Sequence, residues 1–66
     1  MQIMVNGEMR TVSDGLTVSA LLEHLGLQPE ATVVERNGDI LERGVFSATA
    51  LANGDVIELV RFVGGG

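Results

Sequence analysis

The sequence predicts an α+β fold, a mixed sheet of four to five strands with one helix packed on one face. Three observations carry that expectation. Two Asn-Gly pairs, Asn6-Gly7 and Asn37-Gly38, sit between strand-forming runs. A single helical period occurs, at Val18, Leu21, Leu22 and Leu25. One long strand-like run, Val56 to Val63, leads directly into Gly64, Gly65 and Gly66.

Gln2 to Val5 and Met9 to Val12 flank the first Asn-Gly pair and read as a β-hairpin, because Asn and Gly tolerate the φ > 0 that a tight type I′ turn requires. Ser13-Asp14-Gly15-Leu16 is a turn. Thr17 then caps a helix whose apolar residues fall at i, i+3, i+4 and i+7, one face of a 3.6-residue period. Gly26 stands where a left-handed C-terminal cap belongs, Leu27 can fold back on the last turn, and Pro29 prevents the helix from resuming. Thr32 to Arg36 is a third strand, turned by Asn37-Gly38 into the short apolar pair Ile40-Leu41. From Glu42 to Ala52 no period is sustained, and small residues mixed with Val45, Phe46 and Leu51 suggest a compact crossover with one helical turn that plugs an end of the core. Asn53-Gly54-Asp55 turns the chain into the last strand, Val56 to Val63.

One helix must cover one face of one sheet, since nothing else in the chain can bury either apolar surface. If the last strand pairs beside the first, the two run parallel in the centre of the sheet. That is the β-grasp arrangement. Side-chain alternation then fixes which face of the last strand is buried: the set containing Val56, Glu58, Val60 and Phe62 would bury a carboxylate, which costs several kcal/mol unless it is paired or protonated. Ile57 and Leu59 therefore point inward. Val60 and Phe62 fall on the open face beside the glycine tail, and with Glu58 they form a candidate partner-binding surface.

Composition narrows the function classes. The 66 residues make one domain, 1–66, and a chain this short buries only about 60% of the surface its unfolded form exposes, leaving little core for a deep active site. An independent enzyme is not expected. There is no Cys, which excludes disulfides, thiolate chemistry and a sulfur-ligated metal, and with one His no metal site is expected. Four basic residues against nine acidic ones give a net charge of −5, which repels nucleic-acid phosphate and anionic membranes and suits a partner with a basic face. No apolar stretch approaches the ~20 residues of a membrane span, and no leader-like segment opens the chain, so a cytoplasmic protein is expected. His24 lies off the apolar face of the helix and reads as solvated. The carboxylates Asp14, Glu30 and Asp39 are scattered over turns and strand edges without acid/base spacing.

The glycine tail has two readings. A terminal glycine run is often only a frayed end. It can also enter a channel too narrow for any side chain and present its α-carboxylate there. Val63 and the three glycines reach roughly 13 Å beyond Phe62 when extended.

Five segments carry a family resemblance: Val5-Asn6-Gly7-Glu8; Thr17-Val18 with Leu21-Leu22; Glu35-Arg36-Asn37-Gly38; Gly54-Asp55; and Ile57 to Gly66. Across its full length the chain resembles the small ubiquitin-like β-grasp sulfur-carrier family, most closely its thiamine-biosynthesis branch, the ThiS-type carriers. A bare Gly-Gly end is weak; the same end after a Gly-Asp turn and a strand of this pattern is specific. The resemblance implies that the Gly66 carboxylate is adenylated and converted to a thiocarboxylate, which donates sulfur for thiazole formation. Gly64 and Gly65 would form the arm, with Gly65 and Gly66 intolerant of side chains and Gly64 open to a small residue. The implied partners are a ThiF-like adenylating enzyme, a ThiG-like thiazole synthase and a sulfur-donating persulfide enzyme. No cofactor is expected on the chain, ATP and Mg being used by the adenylating partner.

Alternatives stand beside this reading, among them a carrier for another sulfur-containing metabolite or a protein-modifying tag. The sulfur carrier of molybdopterin synthesis shares the fold and the Gly-Gly end, but its Phe-Ala-x-x-Arg-like opening and Pro-rich approach to the tail are replaced here by Asn6-Gly7 and Arg61-Phe62-Val63. An acidic β-grasp binding module with an inert tail fits composition and strand pattern equally well. Only the chemistry of the tail separates it from a carrier.

Overall fold

A computed structural model describes residues 1–62. Its elements are β1 (Gln2–Val5), β2 (Glu8–Thr11), α1 (Val18–His24), β3 (Thr32–Arg36), β4 (Asp39–Leu41) and β5 (Val56–Arg61), with 3₁₀ turns at Pro29–Ala31 and Arg43–Val45. The strands form one sheet in the order β2-β1-β5-β3-β4. β1 and β5 run parallel in the middle, and the other neighbours are antiparallel. This is the expected β-grasp arrangement.

Both hairpins turn where the Asn-Gly pairs stand. Asn6 and Gly7 have φ of 49° and 81°, and Asn37 and Gly38 have 52° and 90°, the paired positive values of type I′ geometry. β2 begins at Glu8 and β4 at Asp39, one residue earlier than the apolar pattern suggests, because a two-residue turn brings the residue after Gly directly into register: Val5 pairs with Glu8 and Arg36 with Asp39.

The helix is bounded at both ends by local chemistry. Thr17 Oγ1 accepts the Ala20 N–H at 3.1 Å. At the other end Gly26 takes φ of 72°. The Leu27 N–H donates to the Leu22 carbonyl at 2.9 Å and the Gly26 N–H to the Glu23 carbonyl at 3.1 Å, the paired bonds of a Schellman cap. The crossover also serves the helix. The Val18 and Ser19 N–H groups, which no intrahelical carbonyl can satisfy, donate to the Thr49 and Phe46 carbonyls at 3.0 and 3.1 Å. That accounts for an irregular segment with one 3₁₀ turn: its carbonyls must face the helix start while Phe46 and Leu51 are buried in the core.

The core joins Ile3 and Val5 of β1, Val18, Leu21 and Leu22 of α1, Val34 of β3, and Ile57 and Leu59 of β5. Ile57 is fully buried and Leu59 is 8% exposed, so the expected alternation of β5 holds. The strand stops at Arg61 rather than running to Val63. Its neighbour β3 begins at Thr32, opposite Arg61, so the ladder has no further strand residue to pair with. One more bond follows, from the Phe62 N–H to the Ala31 carbonyl at 3.0 Å. The expectations placed on Val63, Gly64, Gly65 and Gly66 lie outside the described residues.

Candidate functional site

The face of the sheet opposite the helix is laid out by strand register. Met9, Met4 and Val56 form one row, Ile40, Glu35 and Glu58 the next, and Val33 and Val60 a third. Phe62 follows Val60 in the same alternation, held one residue past the strand by its bond to Ala31. Among the described residues seven large apolar side chains are exposed, and six of them, Met9, Val33, Ile40, Val56, Val60 and Phe62, belong to this face. Val45 is the exception. Such concentration marks a surface suited to covering by a partner, whereas single exposed apolar residues need no explanation.

Glu58, Val60 and Phe62, singled out from sequence, are all exposed on or beside this surface, Val60 at 60% and Phe62 at 49%. The surface is wider than the sequence suggested. Met9, Val33, Ile40 and Val56 extend it, and Glu35 lies directly opposite Glu58. Like charges facing each other across a ladder are destabilising. Two carboxylates ringed by apolar groups are therefore arranged at some cost to the free protein, and they suit a cationic side chain of a partner.

β5 carries this surface, and three side chains that sequence reasoning treated only as turn formers hold it. Asn6 Oδ1 accepts the Leu59 N–H at 2.8 Å while Asn6 Nδ2 donates to the Leu59 carbonyl at 3.2 Å. Asn37 Oδ1 accepts the Val56 N–H at 2.8 Å, and its Nδ2 donates to Asp55 Oδ1 at 3.0 Å. Asp55, 6% exposed, completes the set. Its Oδ2 accepts from Arg36 Nε at 2.9 Å and from the Ala52 N–H at 2.8 Å. Burial alone would raise the Asp55 pKa, but hydrogen bonds from Ala52, Asn37 and Arg36 and the Arg36 charge together hold it below the ordinary carboxylate value. The signal for Asn6 and Asn37 was the recurrence of Asn where Asp or Gly would turn the chain equally well.

His24 is exposed at the end of α1, beside a shallow recess lined by Thr11, Val12, Ser13 and Leu16. No group of His, Asp or Glu among the described residues could hold a metal ion. No described helix is long and apolar enough to cross a membrane.

The family model of the ThiS family matches residues 3–66. The chain belongs to the ThiS family. The sulfur carrier protein ThiS of Bacillus subtilis is 35% identical over 65 residues, covering 97% of this chain and 98% of that protein. A crystal structure of the thiamine biosynthesis protein ThiS from Geobacter metallireducens superposes with a TM-score of 0.85 at 43% identity, covering 100% of both chains. A thiazole synthase of Magnetococcus marinus contains a segment 44% identical to the whole chain, which spans 20% of that enzyme's length. ThiS membership agrees with the β-grasp topology and with the strand that leads from the apolar face into the glycine run.

Proposed function

We propose that this chain is a sulfur carrier of thiamine biosynthesis, acted on by partner enzymes and performing no catalysis alone. The observation that carries this reading is the ThiS family match over residues 3–66, which takes in the Gly64-Gly65-Gly66 end. A carboxylate is a poor electrophile, since its charge repels nucleophiles and oxide is a poor leaving group. Attack of the Gly66 carboxylate on the α-phosphorus of ATP, with loss of pyrophosphate, gives an acyl-adenylate. Attack by the outer sulfur of a persulfide then expels AMP and forms an acyl disulfide, and a thiol that attacks the donor's inner sulfur, forming a disulfide with it, releases the thiocarboxylate. ATP and Mg belong to a ThiF-like adenylating partner, and the sulfur comes from a persulfide-type donor. A ThiG-like thiazole synthase is the acceptor's enzyme, a pairing supported by thiazole synthases that contain a segment similar to this whole chain. The apolar open face around Val60 and Phe62, with Glu58, is the docking surface from which the tail reaches a partner's pocket.

The test is a mass shift in a defined peptide. Cleavage after Arg61 releases Phe62-Val63-Gly64-Gly65-Gly66, which contains neither Met nor Cys, so an oxygen-to-sulfur exchange there cannot be mistaken for oxidation at Met1, Met4 or Met9. Incubation with ATP, a sulfur donor and the adenylating enzyme is expected to add that shift to this peptide alone. Thiazole synthase and its substrates are expected to remove it. A tail peptide that stays unmodified while the protein still binds the enzyme would make the chain an acidic binding module.

A further inference from the structure

We infer that Asn6 is a positioning residue for the reacting tail, acting through Leu59; the inference rests on the carrier reading above. β1 pairs with β5 only as far as Val5 opposite Ile57, and there the backbone turns away into the hairpin. The Asn6 N–H makes the last main-chain bond, to the Ile57 carbonyl at 2.9 Å. Beyond it no residue of β1 remains to hold β5. The Asn6 side chain fills that place, its primary amide acting as the next peptide group of β1: Oδ1 takes the Leu59 N–H at 2.8 Å and Nδ2 reaches the Leu59 carbonyl at 3.2 Å. On the other edge β3 pairs with β5 out to Arg61. From Leu59 onward, then, β5 is gripped on one side by a strand and on the other by this one side chain. The direction in which the chain leaves the sheet depends on both.

The residue type is informative. Asp or Gly at this position would turn a type I′ hairpin as well as Asn does. Asp would accept the Leu59 N–H but set a carboxylate oxygen against the Leu59 carbonyl, and Gly would make neither bond. Only Asn has the donor and the acceptor that both halves of the Leu59 peptide edge require. A reactive group at the end of an arm gains from a fixed base, because misplacement by an ångström can cost about 100-fold in rate.

Asn6→Gly and Asn6→Asp separate this role from general stability, with Ile3→Val, a core change on the same strand, as the control for a destabilised fold. In the full chain Asn6→Gly, which makes neither bond, is expected to speed hydrogen exchange of the Leu59 amide by about tenfold or more relative to Val34, and Asn6→Asp, which keeps the acceptor, by less, while Ile3→Val leaves that ratio unchanged. With the adenylating enzyme and ATP, the Asn6 variants are expected to lose about tenfold or more in kcat with KM for the carrier nearly constant, because the docking face is intact. Ile3→Val is expected to keep both constants at a temperature where it is folded. Unchanged Leu59 exchange in Asn6→Gly would overturn the clamp. A faster exchange with wild-type kcat would overturn the positioning role and leave the carrier reading standing. Failure of the wild-type chain to be adenylated would overturn the carrier reading and the positioning role with it, while the exchange ratio would still decide the clamp.

Discussion

At the scale of single residues, Asp55 shows how a turn residue becomes a structural centre. All three of its partners donate to it: the Ala52 N–H, Asn37 Nδ2 and Arg36 Nε. Asp55→Asn keeps the shape but must set an NH₂ group against at least one of these donors. It is expected to cost about 1–3 kcal/mol near neutral pH, measured by denaturant unfolding. The pH dependence has a definite sign. The folded-state pKa lies below the ordinary 3.8, so ionised Asp55 contributes its full stability above that value, and the contribution is lost as pH falls through the folded value. The gap between wild type and Asp55→Asn is therefore expected to close below about pH 4; a gap that stays constant down to about pH 2 would count against this account. The sequence placed Asp55 in a turn and stopped there, because Asn-Gly-Asp signals a turn whether its carboxylate faces water or a guanidinium 19 positions away.

At the scale of elements, what could be read from the sequence was whatever a local rule decides. The φ > 0 demand of a type I′ turn located both hairpins, the 3.6-residue spacing located α1, and the cost of burying Glu58 fixed which side of β5 faces the core. Register is a long-range property, and what depends on it was not legible. Glu35 and Glu58 are 23 positions apart and face each other only because β3 and β5 pair with Val33 opposite Val60. That opposition leads to a trade between stability and binding. Removing one of the two charges, as in Glu58→Gln, is expected to stabilise the free protein by about 0.2–1 kcal/mol. The same change is expected to weaken association with the adenylating enzyme and to flatten its dependence on salt, since a charge facing a basic partner is lost. Thermal unfolding and a salt series of binding measurements on one variant check both halves. A variant that loses stability and keeps its affinity would show the pair to be an ordinary part of the sheet.

At the scale of the whole molecule, the proposed carrier function would divide the work between body and tail, and that division sets a quantitative expectation. On the carrier reading proposed above, the uncovered face of the sheet is the docking platform, and the glycine run that follows its middle strand in sequence is the reacting end. Docking would convert the tail's reaction into an intramolecular one, at an effective concentration in the mM range for a short arm. A chain ending at Gly64 keeps the whole platform but carries its terminal carboxylate two residues short of the Gly66 position. It is expected to compete with the full chain for the adenylating enzyme with nearly equal affinity while releasing no pyrophosphate. Phe62→Asp in that shortened chain is expected to weaken competition by about 2 kcal/mol, because the aromatic anchor is removed and a carboxylate would have to be desolvated in its place. Conversely, the free peptide Phe62-Val63-Gly64-Gly65-Gly66 at micromolar concentration is expected to be activated orders of magnitude more slowly than the full chain, since it must supply by diffusion what the platform supplies by tethering. Pyrophosphate release and competition binding, run on these chains together, measure platform and tail separately. Activation of the free peptide at the rate of the intact protein would mean that the sheet face contributes nothing to the reaction.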